Sequence, residues 1–146
     1  MDLTAIHSST SARPVVFTAQ SKQTFYCRDA VCEFVLKAGA VPLNPFRLFG
    51  YFLGDRVERD LIREANNNLV RMADELWVFG EEISDGMLFE LLYARQLGKP
   101  IRHFGIDSRA DRIQTIENDA ITFEPEVIRK TGVSPEEILR RLFPAG

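Results

Sequence analysis

Short β-branched or aromatic runs alternate with helical stretches along nearly the whole chain, and this alternation limits the fold more than any other feature. "PVVFTAQ" at 14–20, bounded by Pro14 and the polar "SKQT", predicts a first strand. In "CRDAVCEFVLKAG", Val31, Phe34, Val35 and Ala38 fall at i, i+3, i+4 and i+7, and the run ends on Gly39, so a glycine-capped helix is expected. "AVPLNP" at 40–45 predicts a second strand stopped by proline. From Asp55 to Met72, Val57, Leu61, Ile62, Ala65, Leu69 and Met72 share one face opposite charges, the pattern of a long amphipathic helix. "ELWVF" predicts a third strand, 86–97 a helix and "PIRHFGI" a fourth strand. A helix at about 109–118, a strand at "AITFE" and a final helix opening on "SPEE" complete the series. In the last, Ser134 caps, Pro135 takes the first turn and Glu137 closes a capping box.

Five strands alternating with five helices in 146 residues imply an α/β fold. Right-handed crossovers make it a doubly wound, flavodoxin- or Rossmann-like, five-stranded and mostly parallel sheet of order 2-1-3-4-5, with helices on both faces. A single domain is expected over 14–146, after a loose Ser/Thr-rich lead-in over 1–13. Ligands of such sheets bind beyond the carboxyl ends of the strands where the chain reverses direction across the sheet, here between strands one and three. The residues placed there are Thr18 to Thr24, Asn44 to Gly54 and Gly80 to Glu90.

Charge and cysteine usage narrow the function classes. Eighteen basic against 21 acidic residues and no polybasic run argue against binding nucleic acid by bulk electrostatics. Cys27 and Cys32, five apart with no partner cluster, form neither a disulfide framework nor a zinc site, and are expected as reduced thiols of a cytoplasmic protein. The first residues lack a basic and then apolar signal pattern, and no stretch approaches a membrane span. No metal is expected.

One residue contradicts its surroundings. Glu90 stands among Met87, Leu88, Phe89, Leu91, Leu92, Tyr93 and Ala94 on the helix that follows strand three, about one turn from its start. A carboxylate buried there is costly unless it is paired, hydrogen-bonded or used. Either it neutralises a buried arginine such as Arg102 or Arg59, or it is held at the carboxyl edge for chemistry. Asp85 at the helix start is a second candidate acid or simply the helix cap, and Asp74 a third or a partner of local backbone. Thr18 and Gln20 after strand one, Asn44 and Phe46 after strand two, and Gly86 are candidate substrate-binding residues by placement. Phe46 belongs to the aromatic "NPFRLFGYFLGD", suited either to stacking a base or to packing. "NNNL" at 66–69 is poor helix material with no evident packing purpose.

"ADELWVFGEEISDGMLFELLYARQLGKPI", Ala73 to Ile101, resembles the signature of the nucleoside 2-deoxyribosyltransferase-like proteins, a group that also includes nucleotide N-glycoside hydrolases. That pattern is a helix ending in Ala-Asp, an apolar strand, a loop with an aspartate, glycine-threonine, an apolar residue and glutamate, and "GKP" before the next strand. "KAGAVPLNPF" resembles the second strand of the family, and the likeness spans roughly residues 14–105. The resemblance implies that Glu90 is a glycosidic nucleophile, that Asp85 and Asp74 assist at the base, that no organic cofactor is needed, and that subunits of a homo-oligomer complete one another's sites. A nucleoside, nucleotide or related ribosyl compound would be the substrate. The chemistry suits the residue: breaking an N-glycosidic bond develops positive charge on the sugar carbon, which a fixed carboxylate stabilises or attacks. Departures from the pattern are the "TAQSKQT" turn where glycines are usual, Met87 in place of threonine, and Leu92 in place of a small residue. They leave a second reading open, a nucleotide-binding or sensor module of the same fold without turnover. The apolar "FRLFGYFL" stretch is the surface a homo-oligomer would bury.

Overall fold

The computed structural model describes residue 2, residues 11–50 and residues 56–144. In chain order the elements are β1 (Val15–Ala19), a 3-10 turn (Lys22–Cys27), α1 (Arg28–Lys37), β2 (Val41–Leu43), α2 (Pro45–Leu48), α3 (Arg59–Met72), β3 (Glu75–Phe79), β4 (Glu82–Ile83), α4 (Asp85–Gln96), β5 (Ile101–Phe104), two 3-10 turns (Ala110–Arg112 and Asn118–Ala120), β6 (Thr122–Phe123), α5 (Pro125–Thr131) and α6 (Pro135–Leu142). Most of the expected lead-in, and residues 51–55 with the last three residues of the "FRLFGYFL" stretch, fall outside the described residues.

The α/β class holds. Four parallel strands form one sheet in the order β2-β1-β3-β5, with Phe17 opposite Leu43 on one side and Leu76 on the other, and Val78 opposite His103. Strand alternation divides the core between two faces. Phe17, Ala19, Leu76 and Val78 pack with Val70 of α3, Met87, Leu91 and Ala94 of α4, and Leu142 of α6. Val16, Trp77, Phe79 and Phe104 pack on the other face with Val31 and Val35 of α1. There Phe34 meets the rings of Phe79 and Phe104 edge-on at centroid distances of 5.9 and 4.9 Å. That α1 lies behind the sheet while α3 and α4 lie in front is what right-handed crossovers in this strand order require.

The sheet has four strands rather than the expected five. The "AITFE" strand does form, as β6, but it pairs with β4 in a separate two-stranded parallel ribbon, Glu82 opposite Thr122 and Ile83 opposite Phe123. The free edge of β5 is occupied instead by residues 114–116: Gly105 N–H donates to the Gln114 carbonyl at 2.8 Å, Ile116 N–H to the His103 carbonyl at 3.2 Å, and Phe104 sits antiparallel to Thr115. The helix expected over 109–118 is therefore absent. Ile113, Thr115 and Ile116 are β-branched and take extended backbone, with 3-10 turns on either side. Between β6 and the final helix the chain adds α5, begun by Pro125 and ended by Gly132 in the left-handed region at φ 64°. No helix among the described residues is long and apolar enough to cross a membrane.

Candidate functional site

The carboxyl ends of β1, β3 and β5 open into a cleft of about 380 Å³. Ser21, Gln23 and Thr24 enter it from the turn after β1, Gly80, Glu81 and Glu82 from the end of β3 and from β4, Ile106 from beyond β5, and Glu124 from the start of α5. Gly80 makes the turn out of β3 at φ +112°, a conformation that side chains other than glycine rarely take. Its N–H donates to the Phe104 carbonyl at 2.9 Å and so fixes the floor. Among the described residues no lysine or arginine lines the cleft, whereas the carboxylates of Glu81, Glu82 and Glu124 do. The Glu124 carboxyl is pushed above the usual range first by desolvation and then by the negative charges of Glu82, Asp85 and Glu126.

Glu90 lies on α4, half-buried, with no hydrogen bond or ion pair from any described residue; burial alone pushes its carboxyl up to about 8. The arginine that a structural role would require is engaged elsewhere: Arg102 pairs with Glu75 at 3.3 Å and lies over the Trp77 ring. No ion pair of Arg59 joins it. Helix geometry gives the direction in which Glu90 faces. Seen with α3 and α4 in front and the strands running upward, right-handed crossovers place β3 to the right of β1 and β5 to the right of β3, so α4 descends with α3 on its left. Met87, Leu91 and Ala94 face the sheet, and steps of about 100° per residue carry Glu90 about 60° to the left, toward α3, and Leu88 to the other flank. Glu90 is therefore turned to the β1–β3 side of its helix, the side of the switch point, but its carboxyl is not part of the cleft wall.

The other candidates divide. Gln20 and Asn44 are brought together: both are buried, Asn44 Nδ2 donates to Gln20 Oε1 at 2.9 Å, and Gln20 Nε2 donates to the Thr24 carbonyl at 2.9 Å. Asn44 also caps α2 by accepting from Arg47 N–H at 3.1 Å, so the pair ties the ends of β1 and β2 into one rigid corner. Thr18 is fully buried, and strand alternation turns it with Val16 toward α1, away from the face that carries Glu90; its hydroxyl donates to the Leu43 carbonyl at 3.4 Å. Phe46 packs edge-on against Phe25 at 5.6 Å.

Gly86 is exposed in the first turn of α4, with open space where a Cβ would stand. Asp85 is the first helical residue rather than the cap. Ser84 caps, accepting from Met87 N–H at 3.3 Å, while Asp85 pairs with Lys130 of α5 at 3.0 Å, a contact that holds its carboxyl below the usual range. Asp74 stands at the opposite, amino end of the sheet, where its carboxylate accepts from Val15 N–H at 2.8 Å and its own N–H donates to the Val15 carbonyl at 2.8 Å. The structure thus does not bring Asp74 to the carboxyl edge.

Sequence reasoning passed over Glu124, Ile106 and Ser84. Ser84 had a signal, a serine directly before an apolar helical run. Glu124 and Ile106 had none, because their place depends on how the chain after β5 folds back.

Residues 16–104 match the model of a family described as a domain of unknown function, DUF7768. The chain belongs to the DUF7768 family. That stretch runs from β1 to the last residue of β5, so the whole main sheet of this DUF7768 protein is family structure, while Ile106 and Glu124 of the cleft lie outside it. No curated protein matches the sequence. Among solved structures, the DUF7768 chain is similar to a 2-deoxyribosyltransferase from the psychrotolerant bacterium Bacillus psychrosaccharolyticus, with 13% identity over 85% of this chain and 95% of that one at a TM-score of 0.51. A 2-deoxyribosyltransferase from Leishmania mexicana gives 20% identity over 90% of this chain and 99% of that one at a TM-score of 0.49. At 13% identity the first likeness establishes a shared fold.

Proposed function

We propose that this DUF7768 protein breaks or exchanges the N-glycosidic bond of a nucleoside, with Glu90 as nucleophile. The observation that carries the reading is a carboxyl without a partner among the described residues, half-buried on the helix that follows β3 and turned toward the switch point of the sheet. The likeness in fold to 2-deoxyribosyltransferases supports it. In this reading the base occupies the cleft above β3 and the sugar reaches along α4 to Glu90. Glu90 Oε attacks the anomeric carbon, the bond to the base nitrogen breaks, and the base leaves with a proton. Glu124, whose carboxyl is pushed above the usual range by desolvation and neighbouring carboxylates, is the cleft carboxyl better suited to give that proton than Asp85, which the Lys130 contact holds below that range. Water or a second base then releases the sugar from Glu90. The acidic cleft favours an uncharged nucleoside over a phosphorylated one.

Assembly follows from the surface. Phe89 and Leu92 of α4 are exposed, as is Leu48 within the "FRLFGYFL" stretch, and a homo-oligomer that covers such residues is part of the proposal. The deciding experiment is a panel of nucleosides and nucleotides with chromatographic detection of free base, run on wild type and Glu90→Gln. Base release by wild type and its loss by several orders of magnitude in the variant is the expected result. Equal release by both proteins would remove Glu90 from the mechanism. The second reading, a binder without turnover, is favoured by the 3-10 turn that replaces a glycine turn after β1 and by the fully buried Met87. Binding of nucleosides by wild type without any base release would establish it.

A further inference from the structure

α3 carries a polar residue that its packing does not explain. Ile62, Asn66, Leu69, Val70 and Ala73 form the stripe that this helix turns to the sheet, and Asn66 is the one polar member. Its side-chain Oδ1 is buried and finds no donor among the described residues. The neighbouring asparagine differs: Asn68 is exposed, donates to the Glu64 carbonyl at 2.8 Å and takes a short contact from Arg71. A buried acceptor left unmade is costly, so its retention calls for a partner that the protein alone does not supply.

The position of Asn66 says where that partner would lie. α3 and α4 both descend from the carboxyl edge to the amino edge and pack on one another, and Lys99 Nζ ties their lower ends by donating to the Arg71 carbonyl at 3.0 Å. Asn66 is six residues before Met72, the last residue of α3, and Glu90 is six residues before Gln96, the last of α4. Both therefore stand about 9 Å above the ends of adjacent parallel helices. Two polar groups without partners among the described residues thus stand at the same distance from the ends of their helices, one on the inner stripe of α3 and the other on the flank of α4 that faces α3.

We infer that Asn66 is a ligand-binding residue of the Glu90 site, its Oδ1 accepting a hydrogen bond from a sugar hydroxyl. This rests on the glycosidic reading of Glu90. The chemistry selects the group: an amide oxygen with no donor is satisfied by a hydroxyl, which donates, and not by an ionised phosphate, which only accepts. A sugar ring held there by its hydroxyl would present its anomeric carbon at the level of the Glu90 carboxyl.

The test pairs Asn66→Leu, which keeps the number and branching of the heavy atoms, with Asn66→Ala, which adds no bulk. Melting temperatures are measured for both, and titration calorimetry and base release are run with the nucleoside panel. Melting temperature unchanged or raised in Asn66→Leu, with affinity or KM for the nucleoside weakened about tenfold in both variants, is the expected result. Nucleoside affinity equal to wild type in both variants would overturn the inference. A melting temperature several degrees lower in Asn66→Leu would also overturn it, by showing that the amide serves the fold. If wild type neither binds nor cleaves any nucleoside, the glycosidic reading falls and takes this inference with it. If wild type cleaves and both Asn66 variants keep its KM, only the inference about Asn66 falls.

Discussion

Replacing Glu90 by glutamine should flatten part of the pH dependence of stability. Its carboxyl titrates near 8 in the folded protein against an ordinary value of 4.5, because burial opposes the charge. Between those values the folded state holds a proton that the unfolded state has released, so stability falls as pH rises, beginning above about 4.5 and ending above about 8. At 1.36 kcal/mol per unit the full penalty is about 5 kcal/mol, of which about 3 is present at pH 7. Glu90 is not sealed from water, and halving the pH 7 figure for that access leaves about 2 kcal/mol, or about 4–8 °C in melting temperature for a domain of this size. The assay is chemical denaturation of both proteins from pH 5 to 9. The difference curve is the quantity to read, because every other titrating group cancels. Glu90→Gln should gain on wild type steadily up to pH 8 and hold its lead above. Parallel curves would refute burial of an unpaired charge. A variant less stable than wild type by about 3–5 kcal/mol at pH 8 would show instead that Glu90 neutralises a buried cation.

Other outcomes can be checked with the same materials. If Glu90 must be ionised to attack, kcat/KM for base release should rise about tenfold per pH unit toward 8 and level off above it, and a fall above 8 would reassign Glu90 as an acid. Glu124→Gln should lower base release by about 100-fold or more with little change in melting temperature, and an unchanged rate would exclude it as proton donor. His103 is buried against Phe143 at 5.0 Å with Nε2 unpartnered among the described residues, and burial lowers its titration to about 4 from 6.5. The unfolded chain therefore binds the extra proton first as pH drops through 6.5 to 4, so acid destabilises, and His103→Leu should remove that acid limb from denaturation curves. Asp74→Ala should cost about 1–2 kcal/mol by leaving Val15 N–H without its acceptor, and should leave the KM of any reaction at the carboxyl edge unchanged.

Much of the fold could be read because its signals are local. The spacing of Val31 and Val35, the alternation in "ELWVF" and the proline and glycine stops identify elements that the sheet then orders by right-handed crossovers. The misjudged region lies after β5, where a helix was expected over 109–118 and β6 at the sheet edge. Pairing there is decided by which segment reaches the β5 edge first in space, and nothing in the spacing of Ile113, Thr115 and Ile116 states it. α5 did carry a signal, Pro125 and Gly132 seven residues apart, which the strand expectation at "AITFE" overshadowed. Of the candidate site, Glu90 stood out because a carboxylate among apolar helical neighbours is an anomaly in one dimension. Asp74 was misleading for the same reason that makes it useful to the fold: an aspartate beside a strand reads alike whether it serves a ligand or the neighbouring strand. Asn66 was visible only as bad helix material, since whether an amide is satisfied depends on its neighbours in space.

The β4–β6 ribbon gives the molecule a division of labour. The ribbon joins the sheet that all of residues 16–104 build to a return segment that lies beyond them, and that segment carries Ile106 and Glu124 to the cleft. The two residue pairs of the ribbon, the pairing of residues 114–116 with β5 and the packing of Ile121 and Phe123 in the core join this segment to the sheet. Drift in residues 105–124 can therefore recut one wall of the cleft while the helix that bears Glu90 and the strands beneath it stay unaltered. On the proposed glycosidic reading, members with the same sheet and different return segments would then differ in which base they admit before they differ in chemistry, and exchanging that segment between two of them is the direct way to move one preference onto the other.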